Sequence, residues 1–509
     1  MNAFTNTRRS FLKHSAATAA LAGLGDLGFL AQLPRVSAAE AALPARAVRF
    51  HPDIEPLVRL LEDTPRARVL EEVAGKIRRG TTYREVLTAL QLAGVRNIQP
   101  RPVGFKFHAV LVVNSAHLAA LASPDTDRWL PIFWAIDAFK SSQAQDVQQG
   151  DWTMSAVDEA AVPKSEKAKP ALITALENWD ETAADAAIVG MYRTAGADEI
   201  YEVLCRYGAR DFRELGHKEI YTANSFRCLE TIGWQHGEPI LRSLVFAMLD
   251  RVGAKVNPSQ ADLPADRPYR RNLERVKEIR AGWLDGKPDA DATREMLATI
   301  RGGSANDTSA KVVELLNRGV AVQSLWDALF DGAGELLMRQ PGIAAIHAMT
   351  FTNACHYSFQ HTHDEETRKL LLLQNAAFLP LYRGGKDDGH HIDTLEPVAL
   401  QESGAGAVEE IFADVSGDKA SKLRAAGKIL NWLEKNPDPK PLADAARRLI
   451  FLKGRDSHDY KFSSAVLEDY AFVTPQWRNR FLAASVFNLK GTGDQDNELV
   501  QRTRAALNA

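Results

Sequence analysis

HKEIYTANSFR, residues 217–227, is the stretch on which the fold of this 509-residue chain turns. It opens on a histidine, reaches an asparagine seven residues later, and contains no glycine or proline. Seven residues are close to two α-helical turns, so His217 and Asn224 fall on nearly the same face. Three other stretches share the design: HAVLVVNSAH at 108–117, HAMTFTNACH at 347–356 and HDYKFSSAVLE at 458–468. Their leading histidines, His108, His217, His347 and His458, are separated by 109, 130 and 111 residues. Asn114 and Asn353 follow in the first and third, whereas Ala465 takes that place in the fourth.

Outward from these stretches the pattern continues. Each is preceded by an apolar stripe at helical spacing: Tyr83/Val86/Leu87, Ile200/Val203/Leu204, Leu325/Ala328/Leu329 and Leu442/Ala446/Leu449. Each is followed by an arginine, Arg128, Arg242, Arg368 or Arg478, lying 20, 25, 21 and 20 residues beyond its histidine. Self-similarity of this kind points to pseudo-repeated helical units, about four, packed as a bundle or a short α-solenoid. Strand-like runs bounded by Asn-Gly or Asp-Gly turns are nearly absent, and Val110 to Val113 sits inside a helical pattern, so the expected class is all-α. Polar stretches lacking an apolar face predict loops at Ser141–Pro170, Asn257–Arg271, Gly302–Ser309, Gly384–Asp393 and Asn436–Pro441. The expected segmentation is a signal at 1–40 and helical units at 41–140, 176–255, 311–383 and 441–509. Between them fall a linker at 141–175, a linker with a helix at 256–310, and a loop with a connecting helix at 384–440.

Thr7-Arg8-Arg9-Ser10-Phe11-Leu12-Lys13 resembles the twin-arginine export consensus S/T-R-R-x-F-L-K at every constrained position. An apolar run from Ala16 to Leu30 follows, with small residues at Ser37, Ala38, Ala39 and Ala41 where a signal peptidase cuts. The resemblance implies passage of an already folded chain through the Tat translocase and a mature protein, beginning near residue 40, in the periplasm or beyond. No later stretch is apolar for long enough to span a bilayer, so no transmembrane anchor is expected after cleavage. A formal charge of −3 leaves no electrostatic footprint for nucleic acid. Cys205, Cys228 and Cys355 form no C-x-x-C or C-x-x-C-H, which excludes common zinc ribbons and covalent c-type haem, and they read as small buried apolar residues. There is no H-E-x-x-H, G-x-S-x-G, Walker loop or Rossmann glycine fingerprint.

Imidazoles at matching positions of pseudo-symmetric units converge when the units pack about a common axis. Four neutral imidazoles from separate helices suit iron, copper or zinc. His108, His217, His347 and His458 are therefore the candidate catalytic and metal-ligating residues, with an iron ion or a non-covalent haem as cofactor. Asp459 and Glu219 are candidates for the surrounding shell. A helix cannot aim both His108 and His117, or both His347 and His356, at one ion, because nine residues end on opposite sides. The i,i+3 pairs Asn114/His117 and Asn353/His356, with Asn224, are candidate cofactor-binding residues on a second face. His361, His363 and the acids Asp364, Glu365 and Glu366 predict a turn entering a helix at Glu366, and the polar loop Gly389 to Asp393 predicts a lid or a surface metal site. The four following arginines predict ion pairs between units, and Arg210 with Asp211 a buried pair.

The Gly216-His217-Lys218-Glu219-Ile220 segment, with His108 and His347, resembles the histidine-bearing helices of the questin-oxidase-like family. That resemblance implies a helical fold, an oxygenase type of activity on aromatic rings, and active-site roles for His217, His108 and His347. The expected function is an exported metal- or haem-dependent oxidoreductase acting on an apolar or aromatic small molecule. A non-catalytic helical-repeat binding module is the alternative, and a metal-independent lyase or hydrolase using His/Asn pairs a third.

Overall fold

The computed structural model describes residues 47–384 and 389–508, and the export signal lies outside them. The described residues form 22 α-helices with no β-strand beyond isolated bridges, so the chain is all-α.

Four helices form the centre: α1 (His108–Leu121), α2 (His217–Ile232), α3 (Ile343–His361) and α4 (Ser457–Asp469). They close into a ring in which α1 packs on α2, α2 on α3, α3 on α4 and α4 back on α1. Their sequences explain this placement. In α1 nearly every residue from Ala109 to Ala120 is buried, as expected of a helix apolar all round and walled in by others. Val110 to Val113 belong to this helix, β-branched composition notwithstanding.

A second layer surrounds the ring. Helices Tyr83–Asn97 and Leu130–Gln148 flank α1, and Ala197–Gly208 and Gly237–Met248 flank α2. Val322–Arg339 and Glu365–Tyr382 flank α3, and Lys440–Lys453 packs on α4. The helix following α4, Arg478–Ala484, instead packs on Val322–Arg339 and Lys419–Lys435.

Several local expectations change. The loop at Ser141–Pro170 is shorter, because one helix continues to Gln148 and the next starts at Ser165 with Pro170 inside it. Residues 141–148 are polar because that end faces solvent, which sequence alone does not separate from a loop. The stretch 256–310 holds helices Arg267–Arg275 and Ala290–Gly302, and 384–440 holds Gly404–Val415 and Lys419–Lys435. Of the four following arginines only Arg242 reaches a carboxylate on another helix, Asp185 at 2.7 Å. Arg128 pairs with Asp125 on its own turn, while Arg368 and Arg478 lie over the rings of Phe359 and Tyr470. Asp211 pairs with Lys218 at 2.8 Å rather than with Arg210, which donates to the Leu176 carbonyl and stacks on Trp179. The three cysteines are free and buried.

Arg96 clamps helix Tyr83–Asn97 to helix Glu55–Asp63. Wholly buried, it donates from Nε and Nη2 to Glu62 at 2.8 Å each, and its Nη1 lies 2.6 Å from Glu55. Arg96→Met leaves Glu55 in the interior without its counter-charge and Glu62 with Arg59 alone, at 3.0 Å. The expected loss is about 3–5 kcal/mol of unfolding free energy, measured by urea denaturation of the mature protein.

Candidate metal centre

The four inner helices deliver their histidines to one end of the ring. His217 is the first residue of α2, His108 the first of α1, His458 the second of α4 and His347 the fifth of α3. The Nε2 atom of His217 lies 2.9 Å from Nε2 of His108 and 2.8 Å from Nε2 of His347. Ring centroids of His458 lie 4.6 Å from His108 and 5.3 Å from His347. One nitrogen from each of His108, His347 and His458 falls within 4.8 Å of the others. Imidazoles hundreds of residues apart in the chain thus share one pocket.

Which nitrogen faces inward is fixed by what holds the other. Nδ1 of His108 faces the Phe105 carbonyl at 2.9 Å, Nδ1 of His347 the Ile343 carbonyl at 2.7 Å, and Nδ1 of His217 the Glu214 carbonyl. A carbonyl only accepts, so each of these Nδ1 atoms carries the proton and Nε2 presents a lone pair. Nδ1 of His458 lies 3.3 Å from Asp456, which gives the same orientation, and its Nε2 is buried with no hydrogen-bond partner. Burial, reinforced by the charge of Lys461, pushes His347 down to about 3 and holds His108 and His217 well below the usual histidine range. The rings are therefore neutral near pH 7, and their lone pairs oppose one another across 2.8–2.9 Å. One proton could relieve only one such contact, whereas a cation relieves all. Two ligands bound at about 2.05 Å to one ion stand about 2.9 Å apart at a right angle and about 3.3 Å apart at a tetrahedral angle.

Backbone geometry makes the approach possible. Gly216, at φ +80°, turns the chain into α2 where an added Cβ would strike the Phe351 ring, and a Cβ on Gly104, at φ +151°, would press on the His217 ring. The carboxylates expected to complete the shell stand elsewhere. Asp459 accepts from the Arg455 backbone and pairs with Lys490, while Glu219 is buried against Ser358. Their places are taken by three backbone carbonyls and by Asp456, the N-cap of α4. Carbonyl partners leave no trace in side-chain identity, though a capping box at Asp456-Ser457-His458-Asp459 was there to be found.

Beyond the imidazoles the ring encloses a polar lumen. Ile220, Thr350 and Lys461, each three residues past its histidine, line a small cavity of about 10 Å³ with Asn114, Asn224 and Asn353. Burial lowers Lys461 to about 7, and neither its Nζ nor the Asn114 amide has a hydrogen-bond partner. The last turns of all four helices then line a chamber of about 300 Å³. There Arg227 pairs with Glu468 at 2.6 Å and lies over the Tyr357 ring, and Asn353 bonds both Glu468 and Asp469. Because successive levels of each helix occupy successive levels of the lumen, the four run in the same direction. His117 and His356 belong to the chamber and not to the imidazole cluster. His117 bonds Tyr83 at 3.0 Å and Thr231 at 3.2 Å, and His356 sits among Trp326, Phe330 and Phe472. The Asn114/His117 and Asn353/His356 pairs do share a face, as their i,i+3 spacing requires. Asn224 donates to the Leu111 carbonyl.

The other histidine-rich segments serve structure. His361 ends α3, and Asp364 caps the next helix by accepting from Thr367 at 2.7 Å. Asp393 pairs with Arg301 at 2.6 Å and Ile392 is buried, which fastens the expected lid to the body.

Histidine-labelled protein stripped of metal is expected to show Nδ1–H, Nε2 lone-pair tautomers for His108, His217 and His347 by nitrogen NMR at pH 7.5. A second expectation concerns His356, which burial brings down to about 3. An unfolded histidine titrates near 6.5, so between these values only the unfolded chain takes the proton. Its contribution is whole above pH 6.5 and is lost as pH falls. His356→Leu should therefore lose about 2 kcal/mol less stability than wild type between pH 7 and pH 5, by urea unfolding.

Residues 5–25 match the TAT (twin-arginine translocation) pathway signal sequence. No curated protein and no solved structure matches the chain, and the likeness of its helices to the questin-oxidase-like family gains no support from these comparisons. No helix among the described residues is long and apolar enough to cross a membrane. The chain is a substrate of the Tat translocase, exported to the periplasm or beyond.

Proposed function

We propose that the exported protein is a metal-dependent oxidoreductase in which His108, His217, His347 and His458 hold one transition-metal ion, iron first and copper next. The observation that carries this is the set of neutral imidazole lone pairs opposed at 2.8 and 2.9 Å, a contact that only a shared cation makes favourable throughout. A nitrogen-only donor set suits iron, copper and zinc and disfavours magnesium or calcium. Nε2 atoms this close leave no slot for a porphyrin, so a single ion fits better than haem. The converging N-termini of the inner helices oppose a cation by at most about 1 kcal/mol each, against about 10 kcal/mol or more for a structural zinc site. The Nδ1–carbonyl bonds keep the rings in place and raise their basicity. When bound, such an ion supplies electron transfer with the substrate.

The substrate side is supported by what surrounds the half-buried His108 and His458. Phe105 and Ile343, whose carbonyls orient two of the imidazoles, leave their own side chains 71% and 52% exposed. An apolar rim beside the cluster suits a small apolar or aromatic molecule.

Metal analysis of protein isolated after export should give about one ion per chain, falling at least tenfold in His217→Ala and His347→Ala with helical circular dichroism retained. Metal-free wild-type protein would remove this function and favour a helical binding module. Zinc as the resident ion would keep the centre but end the oxidoreductase assignment.

A further inference from the structure

The end of the ring opposite the imidazoles has its own chemistry. From His347 to His356 along α3 is about 13 Å at 1.5 Å per residue, so the 300 Å³ chamber stands apart from the cluster. Its walls are the last turns of all four inner helices, whose C-termini carry the negative ends of their dipoles. Arg84 answers one of these ends, at the Ile232 carbonyl that closes α2. The carboxylates Glu230 and Glu468 line the chamber against one guanidinium, Arg227. Asp469 lines it too, but burial beside Glu468 holds its carboxyl well above the usual range, so it adds hydrogen bonding and not charge.

The guanidinium is engaged within the chain. It donates to Glu468 and Asn353 and lies over the Tyr357 ring, with Nε alone unpartnered. The acceptors are not all engaged. Glu468 receives Arg227 and Asn353 on Oε2, and Glu230 receives the Tyr357 hydroxyl on Oε1 at 3.1 Å. Among the described residues Oε1 of Glu468 and Oε2 of Glu230 have no partner. Nor does His356 make a hydrogen bond among them, although it is only 4% exposed and borders the chamber. Both amide atoms of Asn114, 3% exposed, are likewise unpartnered. Leu121 and Phe472, 57% and 37% exposed, give the chamber an apolar mouth. Among the described residues the imidazole cluster is the one group of three or more ligating atoms close enough to hold a metal ion, so the chamber is not a second metal site.

We propose that the chamber is a binding site for a small protonated organic amine with an apolar or aromatic body. The ammonium takes the free oxygens of Glu468 and Glu230, and the body lies against Phe472 and Leu121. An ammonium has three donors and no acceptor, which suits a wall with free carboxylate oxygens and a bare imidazole nitrogen. Helix C-termini and an excess of carboxylate favour a cation there, and a carboxylic acid would find the one guanidinium already taken. A volume of about 300 Å³ lies at the small end of ligand pockets, enough for a body of one ring. The site is independent of the metal centre proposed above.

Isothermal titration calorimetry of the mature protein at pH 7.5 tests this with 2-phenylethylamine, cyclohexylamine and butylamine, set against 2-phenylethanol and 3-phenylpropionate. At least one amine should bind once per chain, at least tenfold more tightly than the alcohol, and 3-phenylpropionate should not bind. Glu230→Gln leaves Tyr357 an amide oxygen to donate to. It should weaken the amine at least threefold, with helical circular dichroism retained and the affinity for 2-phenylethanol unchanged. Glu468→Gln carries the same comparison should that variant not fold. Treatment with a chelator should leave amine affinity as it was, whatever metal the imidazoles hold. Failure of all three amines to bind, an alcohol or carboxylate bound as tightly as the best amine, or unaltered amine affinity in the folded glutamine variant would each overturn the amine site. Amine binding lost with the metal would overturn its independence and assign the ligand to the imidazole centre.

Discussion

Three backbone carbonyls, those of Phe105, Glu214 and Ile343, decide the chemistry at the centre of this molecule. Each takes the proton-bearing Nδ1 of a histidine and thereby turns the opposite nitrogen, a bare lone pair, toward the lumen. Imidazoles free to choose their tautomer would share protons in pairs and form an ordinary hydrogen-bonded core cluster. Here that choice is removed, and the cluster gathers donors with nothing of the chain's own to donate to. The first turns of the inner helices and the tight turns ahead of two of them, at Gly104 and Gly216, exist at those places to make this possible.

The surrounding architecture follows from the cost of such a centre. A lumen lined by Asn114, Asn353, Arg227, Glu468 and Lys461 cannot be built at the heart of a protein without an apolar sheath, and the outer helices provide it. Trp134, Trp326 and Trp477 are buried outside the ring. Most polar groups within find partners, as in the Arg227–Glu468–Asn353 network. The exceptions in the lumen include Lys461, Asn114, Nε of Arg227 and Nε2 of His458.

Much of this was legible in the chain itself. Helical periodicity with few turn signals gave the class, and the matched spacing of His108, His217, His347 and His458 gave the convergence, because equivalent positions in similar helices land at equivalent heights. The i,i+3 rule separated Asn114/His117 and Asn353/His356 from the leading histidines correctly. It was silent on distance along the axis, so their place in a separate chamber came only with the structure. Asp459 and Glu219 were attractive as nearby acids in sequence, yet one serves a cap and the other points to Ser358. Backbone carbonyls as partners are invisible to residue type. Lys461 was hidden because a lysine on a helix is ordinarily solvated, and only the closure of the ring buries it.

The closing of that ring has a bearing on when the protein becomes competent. Its last wall, α4, begins at Ser457, more than a hundred residues after His347, so a nascent chain lacks one side of the central ring until that helix has been made. Incomplete polypeptides cannot assemble the four-imidazole pocket in any partial form that resembles the final one. Export through a channel for folded molecules then follows closure of the ring, which places the assembly of the four-imidazole pocket in the cytoplasm.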